Sequence, residues 1–75
     1  MPKLPCLRSQ KVISALLRVG FYIHHQTGSH INLRHGIKKH LHIVVPFHKK
    51  ELAPKTLKSI ILQAELTINE FVELL

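Results

Sequence analysis

Strict alternation of apolar and polar side chains distinguishes the segment from Phe21 to Val45. Such a period of two is typical of β-strands that bury one face. The alternating apolar residues are Phe21, Ile23, Ile31, Leu33, Leu41, Ile43 and Val45. The pattern therefore predicts three antiparallel strands with one buried face.

The opposite face of the predicted sheet is polar and rich in imidazole. Its residues are Tyr22, His24, Gln26, His30, Asn32, Arg34, His40, His42 and Val44. Their neighbours across the strands follow from the loop lengths, because directly paired residues on antiparallel strands point the same way. Both hairpin loops must then contain an odd number of residues.

A three-residue loop, 27–29, in which Gly28 takes a positive φ, sets Gln26 opposite His30. The same register pairs His24 with Asn32 and Tyr22 with Arg34. A five-residue loop, 35–39, pairs three further sets of residues: Arg34 with His40, Asn32 with His42 and His30 with Val44. We therefore expect His30 in the middle of the open face of the sheet.

Apolar residues at helical spacing occur both before and after the predicted strands. Residues 1–8 predict an extended lead-in, and Ser9 is a good N-cap. The first helix has apolar residues at Val12, Ile13, Leu16 and Leu17. Gly20 then occupies the C′ position at which helices end.

A second helix is predicted to begin with Pro54 near its first position. Its buried stripe comprises Leu57, Ile60, Ile61 and Ala64. Thr67 and Glu70 form a capping-box pattern that predicts a last short helix, 68–75. The result is an α+β fold of order α-β-β-β-α(-α), with a three-stranded antiparallel sheet and the helices packed on one face.

Length and charge restrict the function. Seventy-five residues make a single domain, 1–75, too small for a deep cavity, so an active site must lie at the surface. Eleven Lys and Arg against four Asp and Glu give a net charge of +7, which suits a nucleic acid first and an acidic protein next. A single cysteine and the lack of a long apolar run lead us to expect a cytoplasmic protein without membrane association.

Several segments, in order along nearly the whole chain, resemble the HicA toxins. They are Met1-Pro2-Lys3-Leu4-Pro5, Gly20-Phe21, Gln26-Thr27-Gly28-Ser29-His30, Val45-Pro46-Phe47-His48, Thr56-Leu57-Lys58-Ser59-Ile60-Ile61 and Phe71-Val72-Glu73-Leu74-Leu75. The chain departs from the family pattern at three positions. His25 replaces an expected arginine, and Lys55 and Glu65 replace glycines.

The resemblance implies a fold similar to double-stranded-RNA-binding domains. It also implies an mRNA-cleaving endoribonuclease without a cofactor, neutralised by a HicB-like antitoxin in a hetero-oligomer. The catalytic residue that it implies is the histidine of the Gly-Ser-His motif, His30 in this chain.

RNA cleavage by attack of a 2′-hydroxyl needs a base, an acid and positive charge around the phosphate. Histidine, with an ordinary pKa of about 6.5, serves as either acid or base near neutrality. Expected phosphate contacts are Arg34, Lys38, Lys39, Lys49 and Lys50. Tyr22 is a candidate for stacking on a base of single-stranded mRNA, Ser29 for orienting His30 or closing the loop, and Gly28 for the turn itself.

Three alternatives stay open. His40 and His42, with His24 from across the sheet, resemble part of a zinc site. A non-catalytic RNA-binding module would use the same fold and basic surface. An interaction protein would use that surface for an acidic partner instead.

Overall fold

The computed structural model describes Leu4, residues 6–47 and residues 49–75. In chain order the elements are α1 (Ser9–Leu17), β1 (Phe21–Thr27), β2 (His30–His35), β3 (His42–Pro46), α2 (Pro54–Gln63) and α3 (Ile68–Glu73). The strands form an antiparallel sheet in the order β1-β2-β3. This confirms the predicted α+β fold. The predicted lead-in falls partly outside the described residues, as does His48 of the Val45–His48 motif.

One continuous core joins the sheet to the helices, and α1 and α2 both pack against strands. Leu33 and Ile43 of the sheet are fully buried there, with Leu16 of α1 and Phe71 of α3. The predicted stripe of α2 is buried as well. Burying each such side chain contributes about 1.5 to 3 kcal/mol, so these contacts hold the helices on one face of the sheet.

The β1–β2 register differs from the prediction. Thr27 pairs with His30, so the loop contains only Gly28 and Ser29. An irregularity between Ile23 and His25 inserts His24 as an extra residue in β1, which reverses the parity between the two halves of the strand. Tyr22 still pairs with Arg34 as predicted.

The bulge changes the remaining neighbours in β1. His25, rather than His24, lies opposite Asn32, and Gln26 lies opposite Ile31 rather than His30. Ile23, predicted to be buried, is 50% exposed on the edge strand.

The β2–β3 register is shifted by two residues from the prediction. The observed pairs are His30–Pro46, Asn32–Val44 and Arg34–His42. A shift by two preserves the predicted faces. His30 still begins the central strand, as predicted, but it lies opposite Pro46 rather than Val44.

His35 explains this shift. It is the last residue of β2 and is buried, whereas it was predicted to begin the loop. Its Nε2 lies 2.8 Å from the Val19 carbonyl oxygen, and its Nδ1 accepts from the amides of Ile37 and Lys38 at 3.1 and 2.9 Å. Because the loop folds around this imidazole, it extends to Leu41 before β3 begins.

Helix ends also refine the predictions. Ser9 is the first residue of α1 rather than its N-cap, and its hydroxyl donates to the Pro46 carbonyl oxygen at 2.6 Å. The C-cap of α1 is Arg18, so Gly20 lies one position beyond the predicted C′. Pro54 at the start of α2 is confirmed.

The capping box of α3 is also confirmed, although this helix ends at Glu73 rather than at residue 75. None of the helices in the described part of the chain is long and apolar enough to cross a membrane.

Candidate functional site

The face of the sheet opposite the helices, called the open face here, carries three cross-strand rows of side chains. At one end lie Thr27, His30 and Pro46; in the middle lie His25, Asn32 and Val44; at the other end lie Tyr22, Arg34 and His42. His30 and Arg34 are four residue steps apart along β2, a distance of roughly 13 Å at about 3.3 Å per step. We call the two ends of the sheet the His30 end and the Arg34 end.

A tight turn presents His30. Gly28 has a φ of +56°, and positive φ at the first of two loop positions is typical of a type II′ hairpin. The Gln26 side-chain amide donates to the Gly28 carbonyl oxygen at 3.2 Å, and the Phe47 amide donates to the Ser29 carbonyl oxygen. The turn is therefore held from both sides.

His30 itself is exposed, and among the described residues its imidazole has no hydrogen-bond partner. The Ser29 hydroxyl makes no hydrogen bond to it within the same part of the chain. The His30 side chain is therefore open to solvent.

The predicted phosphate contacts lie along the open face and beyond both of its ends, rather than in one cluster. Lys49 and Lys50 follow β3 at the His30 end. Arg34, with Tyr22 opposite it, lies at the other end, and Lys38 and Lys39 belong to the loop just beyond. All five cationic side chains are exposed. The arrangement suits a chain molecule lying along β2 better than a small anion.

Acidic side chains are excluded from the strands. The four acidic residues of the chain all follow β3, at Glu51, Glu65, Glu70 and Glu73. Because no carboxylate stands on the open face, Arg34 gives that face a positive charge. Beyond the Arg34 end, Lys38 lines a pocket together with Glu65 and Glu70.

The histidines are dispersed instead of gathered at one point. His24 and His25 approach each other through their Nδ1 atoms at 2.7 Å. His42 contacts the Asn32 side-chain oxygen at 3.2 Å, and His40 lies outside the strands beside Glu65, 3.0 Å from its carboxylate.

The proposed zinc triad of His24, His40 and His42 is therefore not assembled. Within the described ranges, no three His, Cys, Asp or Glu side chains lie close enough together to hold a metal ion.

A surface cleft of about 590 Å³ adjoins the His30 end, lined by Arg8, Gln10, Phe47 and Lys49. Of these four residues, the sequence predicted only Lys49 as a contact. An isolated antiparallel bridge between Arg8 and Glu51 brings the start of α1 beside the segment after β3. Because the two residues are 43 positions apart in the sequence, local hydrophobic periodicity could not predict this pairing. The exposed aromatic Phe47 after a strand-ending proline was the available signal.

Comparison with protein families identifies the family of this chain. A family model described as HicA toxin of bacterial toxin-antitoxin matches residues 9–66, which include α1, the three strands and α2. The matched segment contains His30, Arg34, Phe47 and Lys49. A search of curated proteins found no match.

Proposed function

We propose that this protein, which belongs to the HicA toxin family of bacterial toxin–antitoxin systems, is an endoribonuclease that cleaves mRNA with His30 as a general acid or base. The observation that carries the proposal is the position of His30. It is an exposed imidazole on a tight turn at the end of a face without carboxylates, with lysines following the adjacent strand. That combination supplies a proton-transfer group and positive charge to the same stretch of RNA.

In the proposed reaction, the ribose 2′-oxygen attacks the adjacent phosphorus as the 2′-hydroxyl loses its proton. The bond from phosphorus to the 5′-oxygen breaks, and that oxygen takes up a proton, leaving a 2′,3′-cyclic phosphate and a 5′-hydroxyl. His30 serves as the base or as the acid in this exchange, a role that typically contributes a factor of about 10² to 10⁴. Lysine and arginine stabilise the charge that develops on the phosphate.

Single-stranded RNA is the proposed substrate. An open sheet face can stack and contact splayed bases, whereas duplex RNA is recognised mainly by its shape. Tyr22 is an exposed aromatic opposite Arg34, so it offers a stacking surface beside a phosphate contact. Lys38 and Lys39 extend the track at that end, and Lys49 and Lys50 extend it at the His30 end.

Membership in a toxin–antitoxin family indicates an antitoxin partner. We propose a HicB-like protein that presents an acidic surface to the open face and covers His30, forming a toxin–antitoxin hetero-oligomer. Such a partner blocks catalysis by occlusion and displaces RNA from the lysines. Because mRNA is the substrate, the proposed location is the cytoplasm.

Cleavage of a defined single-stranded RNA by purified protein tests this function. Wild type, His30→Ala and His40→Ala are compared with and without EDTA; His40 is an exposed histidine outside the strands and serves as the matched control. We expect product from wild type and His40→Ala that survives EDTA and is absent for His30→Ala. Product lost to EDTA would instead indicate a metal-dependent reaction, and equal product from all three proteins a contaminating nuclease.

A non-catalytic RNA-binding module is the second candidate. The observation that favours it is the absence, among the described residues, of any side chain that orients the His30 imidazole through a hydrogen bond. This candidate predicts salt-dependent RNA binding without product.

A further inference from the structure

We propose that the cleft formed by Arg8, Gln10, Phe47 and Lys49 holds a nucleotide that neighbours the scissile phosphate. In this arrangement the base stacks on Phe47 while Arg8 and Lys49 bind the phosphate. We call this surface the Arg8 cleft. The inference rests on the proposed function, because it assigns a further part of the substrate to the same active surface.

The backbone brings the Arg8 cleft to the His30 end. Pro46 pairs directly with His30, and Phe47 is the next residue. The Phe47 amide also donates to the Ser29 carbonyl oxygen, and the hydroxyl of Ser9, next to Arg8, donates to the Pro46 carbonyl oxygen. Phe47 is therefore displaced from His30 by one strand spacing and one residue step, each of about 5 Å or less. A strand of RNA with its reactive phosphate at His30 reaches the cleft with its next residue.

The charges in the cleft favour an anion. Neither the Arg8 guanidinium nor the Lys49 ammonium has an ion-pair or hydrogen-bond partner among the described residues. Glu51 lies across the bridge from Arg8, yet it forms no ion pair with it and does not line the cleft. Two cations without carboxylate partners at the wall of one concave surface form a phosphate site, for which the arginine fork is especially suited.

Phe47 and Gln10 complete the fit to a nucleotide rather than to a phosphate alone. The Phe47 side chain is 42% exposed in the cleft, where an aromatic ring offers a stacking surface to any base. The exposed Gln10 amide carries both donors and an acceptor for a base edge. A volume of about 590 Å³ lies within the usual 300 to 1,000 Å³ range of small-molecule sites.

Binding of a fluorescent single-stranded RNA oligonucleotide, measured as a function of salt, tests the proposal. All variants carry His30→Ala, so that no RNA is cleaved during the titration. We expect Arg8→Ala or Lys49→Ala to weaken binding and to reduce the slope of log K against log salt by about 0.7 for each lost phosphate contact. Phe47→Ala should weaken binding by about 5- to 150-fold and leave the slope unchanged.

Matched controls come from the helical side of the molecule. Lys58→Ala removes a charge from α2, and Leu62→Ala removes an apolar side chain that is 74% exposed there. Phe47→Tyr, which keeps the stacking surface, should retain binding and thereby exclude a folding defect. Arg8→Lys, which keeps the charge but loses the fork, should bind more tightly than Arg8→Ala and retain the salt slope. The proposal is overturned if the alanine variants of the cleft bind with the affinity and salt slope of Lys58→Ala and Leu62→Ala.

The two proposals fail in different assays. If wild type cleaves RNA and the cleft variants bind it with unaltered affinity, the proposed nucleotide site is rejected and the nuclease function is supported. If the cleft variants bind RNA more weakly and wild type does not cleave it, the nucleotide site is supported and the nuclease function is rejected.

Discussion

Glu65 adopts a backbone conformation that favours glycine. It follows the C-cap of α2 with a φ of +60°, in the left-handed region. Its side chain compensates only in part, because the contact between its carboxylate and His40 at 3.0 Å is solvent-exposed. Glycine is also the residue that the HicA resemblance led us to expect here.

We predict that Glu65→Gly is more stable than Glu65→Ala by about 1 kcal/mol, because both lose the carboxylate and only alanine keeps the strain. The midpoints of urea unfolding measure this difference in the free energy of unfolding, provided that both variants have the same m-value. Equal midpoints for the two variants would show that the left-handed conformation carries no strain at this position.

His35 is a structural histidine, in contrast to the exposed His30. Replacing His35 by phenylalanine removes the partners of three backbone groups, the Val19 carbonyl and the amides of Ile37 and Lys38. We expect a loss of about 2 kcal/mol or more in the free energy of unfolding, since each unsatisfied buried group costs about 1 to 3 kcal/mol. Chemical unfolding of His35→Phe checks this, with the exposed His42→Phe as control. A loss no larger than that of the control would contradict the anchoring role.

Capping of α3 makes its stability depend on pH. The backbone amide of Thr67 donates to the Glu70 carboxylate at 2.8 Å, and this hydrogen bond, with the contribution of the Thr67 side chain, lowers the pKa of Glu70 below its ordinary value of 4.5. A lowered folded pKa stabilises the protein above about pH 4.5, and this contribution disappears as the pH falls through the lowered value.

Glu70→Gln should therefore reduce stability at pH 7 and cost progressively less as the pH falls below 4.5. Urea midpoints of both proteins at a series of pH values measure the difference. A difference that stays constant from pH 7 to pH 3 would contradict the assigned hydrogen bond.

The order of the elements was predictable from the sequence, whereas the register of the strands was not. Periodicity identified the strands because buried positions repeat within each one, and Pro54 and the Thr67–Glu70 pair marked helix starts through local chemistry. The bulge at His24 left no local signal, because the pattern of Phe21 and Ile23 reads as an unbroken alternation. The longer loop before β3 depends on the buried His35, whose partner Val19 is remote in sequence.

The same limit applies to the site. His30 and a turn at Gly28 were predicted from one contiguous motif. The structure puts His30 on the open face, although the turn has two loop residues rather than the three predicted. The Arg8 cleft forms only because the start of α1 contacts the segment after β3. Arg8, Gln10 and Phe47 were therefore not predicted as site residues. Site residues that tertiary structure alone brings together are the ones that local patterns miss.

On the scale of the whole molecule, the helices and the inner strand faces build the core, and the outer strand faces remain available for binding. A net charge of +7, with all carboxylates after β3, concentrates the positive potential around a solvent-accessible face. We therefore expect RNA affinity to fall steeply with salt for wild type and His30→Ala alike, because phosphate contacts dominate binding. Fluorescence anisotropy between 50 and 200 mM salt, a range that typically changes affinity strongly, measures both slopes on an oligonucleotide whose 2′-hydroxyls are removed so that wild type does not cleave it. A slope near zero would show that phosphate contacts with these cationic side chains do not dominate RNA binding.

Single-turnover kinetics test whether His30 transfers a proton during RNA cleavage. Wild type and His30→Ala are mixed in saturating excess with the same single-stranded RNA, so that the rate constant reports chemistry after binding. We expect a rate constant lower by about 10² to 10⁴ for His30→Ala, with nearly unchanged affinity for the RNA. Equal rate constants for the two proteins would contradict this role of His30.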